Sequence, residues 1–101
     1  MPGPTPGGDA AFHGVVATWT HNIWAVGMTN PTHCGHGPQC QTLIEHWNGT
    51  RWKVIPSPNP PSGYLNILDA ASAVSRADIW AVGSTDYAST LVAHWDGTSW
   101  S

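Results

Sequence analysis

The sequence predicts an all-β protein built from two four-stranded antiparallel units, and three observations predict it. A block of about 48 residues recurs along the 101-residue chain, an offset too long for a coiled coil and typical of repeated supersecondary units. Within each block, short runs rich in Ile, Val, Leu and Trp alternate with turns marked by Gly, Pro, Asn or Asp. No stretch carries an apolar period of 3.6 residues long enough for a helix.

The repeat is read directly. Asn22-Ile23-Trp24-Ala25-Val26-Gly27 returns as Asp78-Ile79-Trp80-Ala81-Val82-Gly83, an offset of 56. Thr42-Leu43-Ile44-Glu45-His46-Trp47-Asn48-Gly49-Thr50-Arg51-Trp52 returns as Thr90-Leu91-Val92-Ala93-His94-Trp95-Asp96-Gly97-Thr98-Ser99-Trp100, an offset of 48. The eight-residue difference lies after Gly27, so the first copy carries an insertion.

Each unit divides into strands in the same order. The first strand is expected over 11–18 and 67–74, the second over 23–28 and 79–84, the third over 42–47 and 90–95. Asn48-Gly49 and Asp96-Gly97 follow the third strand and predict tight hairpins, with both central residues at positive φ. A fourth strand is expected over 51–55, ended by Pro56-Ser57-Pro58-Asn59-Pro60-Pro61, where missing N–H groups stop a ladder. The organisation that follows is a Pro/Gly-rich leader (1–10), a first unit (11–56, with its insertion at 28–41), a Pro-rich connection (57–66) and a second unit (67–101) whose outer strand is truncated.

The segments IWAVG, LIEHWNGTRW, VIPSPNP and LVAHWDGTSW resemble the Trp-rich repeats of bacterial, often secreted, β-propeller proteins, and more distantly tectonin and kelch-type blades. The resemblance implies that each unit is a propeller blade. Two blades do not close a ring of at least about four, so completion is expected either by oligomerisation or within a longer array. A strand donated by a neighbouring chain is a further way to finish the outer edge.

Composition narrows the function classes. Three Lys+Arg against six Asp+Glu leave a formal net charge of −3, with only 9% charged residues. That argues against nucleic-acid binding, which needs clustered cations to displace counterions, and against a polybasic membrane binder. No apolar run reaches the roughly 20 residues of a bilayer-spanning helix. The opening MPGPTPGGDA has neither a basic nor an apolar signal region, so no signal peptide is expected within the chain itself.

Candidate residues fall into four groups. Trp24, Trp80, Trp47, Trp95, Trp52 and Trp100 recur in pairs and are expected to fill the space between units, with His46 and His94 as recurring hydrogen-bonding residues. Trp19 and Tyr87 break the repeat and are the candidate ligand contacts. The insertion holds both cysteines, and two readings of it stand: a Cys34–Cys40 disulfide, or a zinc or copper site on His33, Cys34, His36 and Cys40. Two cysteines in a weakly charged, secreted-looking repeat favour the disulfide, and no cofactor is otherwise expected. Asn48-Gly49-Thr50 matches a glycosylation acceptor, although the turn alone explains it.

The acids form no convincing general acid–base pair, and the chain lacks a nucleophile elbow, P-loop or dinucleotide fingerprint, so no enzyme is expected. Glu45, which becomes Ala93 in the second copy, is the one inward-leaning carboxylate. The expected function is a non-enzymatic extracellular or cell-surface repeat module that self-assembles and binds carbohydrate or protein ligands. The alternative is a structural subunit of an extracellular filament, tube or sheath built by blade stacking or strand exchange. Scarce like charge permits close stacking in either case.

Overall fold

The computed structural model describes residues 10–19, 21–29, 40–59, 66–86 and 89–101, and these form seven strands and no helix. The strands are β1 (Ala10–Trp19), β2 (Asn22–Thr29), β3 (Thr42–Trp47), β4 (Trp52–Ile55), β5 (Asn66–Ser75), β6 (Asp78–Thr85) and β7 (Ser89–Trp95). Each begins and ends within one residue of the run expected from the sequence. Strands β1–β4 make a four-stranded antiparallel sheet in sequence order, here sheet 1, and β5–β7 make a three-stranded one, sheet 2. Beyond β7, Trp100 bridges Trp95, and Ser101 and His94 exchange two backbone hydrogen bonds of 3.0 Å. This is the place where, in sheet 1, β4 begins at the Trp47–Trp52 pair.

The repeat extends to irregularities. β1 shifts register between Phe12 and Gly14 and between Ala17 and Trp19, and β5 does so at the equivalent Leu68/Ala70 and Ala73/Ser75. Such bulges increase local twist and re-aim side chains. The Pro-rich connection is pinned to the start of β3: Thr42 N–H donates to Asn59 Oδ1 at 2.7 Å, and the Thr42 and Ser57 hydroxyls share a hydrogen bond of 2.7 Å.

The hairpin after β3 differs from the expected two-residue turn. Trp47 pairs with Trp52, leaving a four-residue loop, and only its glycine takes positive φ (103° at both Gly49 and Gly97). Asn48 is there for its side chain instead: Oδ1 accepts from Thr50 N (2.9 Å), Thr50 Oγ1 (2.8 Å) and Arg51 N (3.1 Å). Asp96 Oδ1 accepts the same three bonds, from Thr98 N, Thr98 Oγ1 and Ser99 N at 2.9, 2.8 and 3.0 Å. A short side chain with a well-placed acceptor oxygen is the requirement, so Asn and Asp interchange. With these donors aimed at it, the Asp96 carboxyl is held down to about 2.

Strand pleating gives each sheet two faces. The front face of sheet 1 carries Val16, Trp24, Val26, Ile44, His46 and Ile55; the matching front of sheet 2 carries Trp80, Val82, Val92 and His94. The back faces carry Ile23, Ala25, Glu45 and Trp47 in sheet 1 and Ile79, Ala81, Ala93 and Trp95 in sheet 2. The core is the front of sheet 1 packed on the back of sheet 2: Trp24, Val26 and Ile44 meet Leu68, Ile79, Ala81, Leu91, Ala93 and Trp100. The sheets meet chiefly along β1 and β5.

The glycine that closes each Ile-Trp-Ala-Val-Gly motif is required by close approach. A Cβ at Gly27 would stand 1.9 Å from the Ala11 carbonyl oxygen, and one at Gly83 would stand 1.8 Å from that of Ile67. Backbone has no room to yield there. Gly83→Ala is therefore expected to destabilise the protein by about 3 kcal/mol, in the upper range of overpacking costs, as read from urea unfolding. A loss below about 0.5 kcal/mol would show that β5 and β6 separate easily at this point.

Candidate functional site

The functional candidate is a sheet face. Its centre is a Trp–His stack that the register creates twice. Trp24 lies opposite His46 and Trp80 opposite His94, so the rings meet with centroids 4.3 Å apart at 36° in sheet 1 and 4.1 Å apart at 27° in sheet 2. The histidine then reaches the residue that starts its neighbouring strand. His46 Nε2 hydrogen-bonds Asn22 Oδ1, and His94 Nε2 lies 2.7 Å from Asp78 Oδ1. The recurring histidines thus tie β3 to β2 and β7 to β6. Burial in the seam lowers the His46 pKa.

The two copies of this face stand in opposite environments. In sheet 1, Trp24 is 3% exposed and Val26 and Ile44 are 0% exposed, covered by the back of sheet 2. In sheet 2, the equivalent Trp80, Val82 and Val92 are 44%, 43% and 48% exposed. Trp80 was expected to fill the space between units, and here it lies open, because no described residue packs on the front of sheet 2. Trp24 and Trp100 are in the core, Trp95 packs against it, and Trp47 and Trp52 are half-buried on the back of sheet 1. An apolar face of this kind, repeated from one that is buried, is suited to association.

The back of sheet 1 has its own character. A cavity of about 350 Å³ opens on it, lined by Phe12, His13, Val15, Ala25, Glu45 and Trp52. Glu45 is fully buried, and among the described residues neither carboxylate oxygen has a hydrogen-bond partner; the Trp52 Nε1–H is likewise unpaired. Desolvation raises the Glu45 pKa, since burial penalises the charged form. The equivalent Ala93 sits in the core without such a penalty.

Other predicted residues are placed as follows. Cys40 is fully buried and disulfide-bonded, and its carbonyl accepts a 3.0 Å hydrogen bond from Asn66 N at the start of β5. Cys34, His33 and His36, the other residues of both readings of the insertion, lie outside the described residues, as do Tyr87 and the Trp19 side chain. Among the described residues, no three His, Cys, Asp or Glu side chains come together as a metal site. Asn48 is exposed, with Oδ1 engaged in its turn.

No protein-family model, curated protein or solved structure matches this chain. Its functional reading therefore rests on its own repeat and faces.

Opposed pH effects follow from the buried Glu45 and the half-buried His46. His46, with its folded value lowered from 6.5, contributes stability that is present above that value and lost as pH falls through its folded pKa. Glu45, raised from 4.5, behaves oppositely: its carboxyl is tolerated below that value and destabilises as pH rises through the folded pKa. Glu45→Ala is expected to stabilise little near its unfolded value and by about 1–3 kcal/mol at neutral pH, the cost of an unsatisfied buried polar group. His46→Gln is expected to remove the acid-side loss. Thermal melts of the three proteins across pH read both slopes; parallel curves would mean that neither group is desolvated in solution.

Proposed function

We propose that the chain is a non-enzymatic, extracellular β-propeller repeat module that self-assembles through its sheet faces, its two sheets being successive blades. The observation that carries this reading is the contrast between Trp24, Val26 and Ile44, buried between sheets, and Trp80, Val82 and Val92, the same face left open. Strands with apolar residues on both faces need cover on both. An uncovered apolar face of three large side chains is an association surface or an aggregation hazard.

Two further observations support the reading. The residues that recur with the repeat serve packing and strand pairing, as the Trp–His stacks and the His46–Asn22 and His94–Asp78 bonds do. The disulfide at Cys40 suits an oxidising compartment outside the cell. Carbohydrate or protein ligands would then meet the assembled surface. A structural subunit of a filament, tube or sheath is the same chemistry with an association that does not close.

Light scattering and negative-stain imaging of the purified chain test the proposal. Particles of several chains are expected at micromolar concentration, and Val82→Asp, at an exposed position, is expected to reduce them to monomers while leaving the circular-dichroism spectrum unchanged. A wild-type protein that stays monomeric over the accessible concentration range would sink the assembly reading. A closed ring would direct attention to ligands, and a filament to the structural role.

A further inference from the structure

The open front of sheet 2 has a partner of the right shape within the same chain. In the seam between the sheets, Trp24 is covered by two indoles: Trp95 at 4.9 Å and 51°, and Trp100 at 5.5 Å and 78°. Those two rings are 6.0 Å apart at 45°. One repeat earlier, Trp47 and Trp52 form the same pair, 5.8 Å apart at 48°, on the back of sheet 1. Among the described residues, no third aromatic ring lies on that pair. One ring of the open face, Trp80, and one indole pair, Trp47–Trp52, thus repeat the two halves of a contact already made once.

We infer that the front of sheet 2 in one copy seats on the back of sheet 1 in the next copy, with Trp80 placed over the next copy's Trp47 and Trp52. The inference rests on the assembly reading and names its partner and polarity. It is supported by the side chains on both faces. On the back of sheet 1, Ile23, Ala25, Leu43, Trp47 and Trp52 are the same residue types as Ile79, Ala81, Leu91, Trp95 and Trp100, which cover sheet 1 within the chain. On the front of sheet 2, Trp80, Val82, Val92 and His94 stand for Trp24, Val26, Ile44 and His46. The cavity of about 350 Å³ on the back of sheet 1, bordered by the exposed Phe12 and Val15, leaves space for side chains of an incoming face.

The copy-to-copy seam departs from the internal one at two places. Glu45, already buried within the chain, stands where the internal seam has Ala93, so a larger side chain occupies that place. Ala70 stands where the internal seam has Gly14, and a Cβ at Gly14 would lie 3.0 Å from the Ala70 Cα, so the inner strands must stand slightly farther apart. Both departures weaken association relative to the internal seam. A front-to-back contact uses a different surface on each partner, so it runs head to tail and yields a ring or a filament.

Complementary blocking tests this polarity. Val82→Asp blocks the front of sheet 2, and Val15→Asp, at an exposed position paired with Ala25, blocks the back of sheet 1. Each variant alone is expected to sediment as a monomer. An equimolar mixture is expected to form a dimer of one chain each and stop, because one intact front meets one intact back. Wild-type assembly together with normal assembly of Val15→Asp, or a mixture that stays monomeric, would overturn the head-to-tail contact and leave self-assembly standing. A monomeric wild type would instead remove the assembly reading itself.

Discussion

The packing of Trp24 depends on both sheets at once, and most of the architecture depends on that packing. Its indole stacks on His46 from its own sheet and is capped by Trp95 and Trp100 from the other. A ring of this size buries about 150–250 Å² and positions everything that touches it. The underlying constraint is more general. Each sheet is apolar on both faces, with Trp24, Val26 and Ile44 on one side of sheet 1 and Ala25 and Leu43 on the other. Two such sheets stacked once cover one face of each and leave the front of sheet 2, with Trp80, Val82 and Val92, open.

That geometry separates the roles of the polar residues. Asn48 and Asp96 supply acceptor oxygens to their turns, and His46 and His94 bond the residues that start the neighbouring strands. None of these uses needs an ion, which is consistent with a chain so poor in charge. Glu45 is the exception. It replaces an alanine of the other repeat and is fully buried with no hydrogen-bond partner among the described residues.

The strands were legible because their signals are local. Pleat alternation, the Gly-marked ends and the Pro-rich stop lie within a few residues of one another, and the internal repeat supplied the readings of the first three strands twice. The turns were located correctly but explained wrongly: sequence suggested backbone at positive φ for both residues, whereas Asn48 and Asp96 are selected for a side-chain oxygen that reaches three donors. The recurring histidines were expected to hydrogen-bond between strands, and they do so to Asn22 and Asp78, which differ in charge but present oxygen in the same place.

By itself the sequence determined that the chain is all-β, that its units repeat, where the strands run and which aromatic residues recur. Local propensity, alternation and self-similarity are enough for that, since none depends on which sheet lies against which. Only the tertiary structure decided which copy of each repeated residue is covered. Trp24 and Trp80 have the same neighbours along the chain and the same histidine across the strand, yet one is buried and the other open. Burial depends on stacking order, and two similar sheets packed front to back necessarily differ in it.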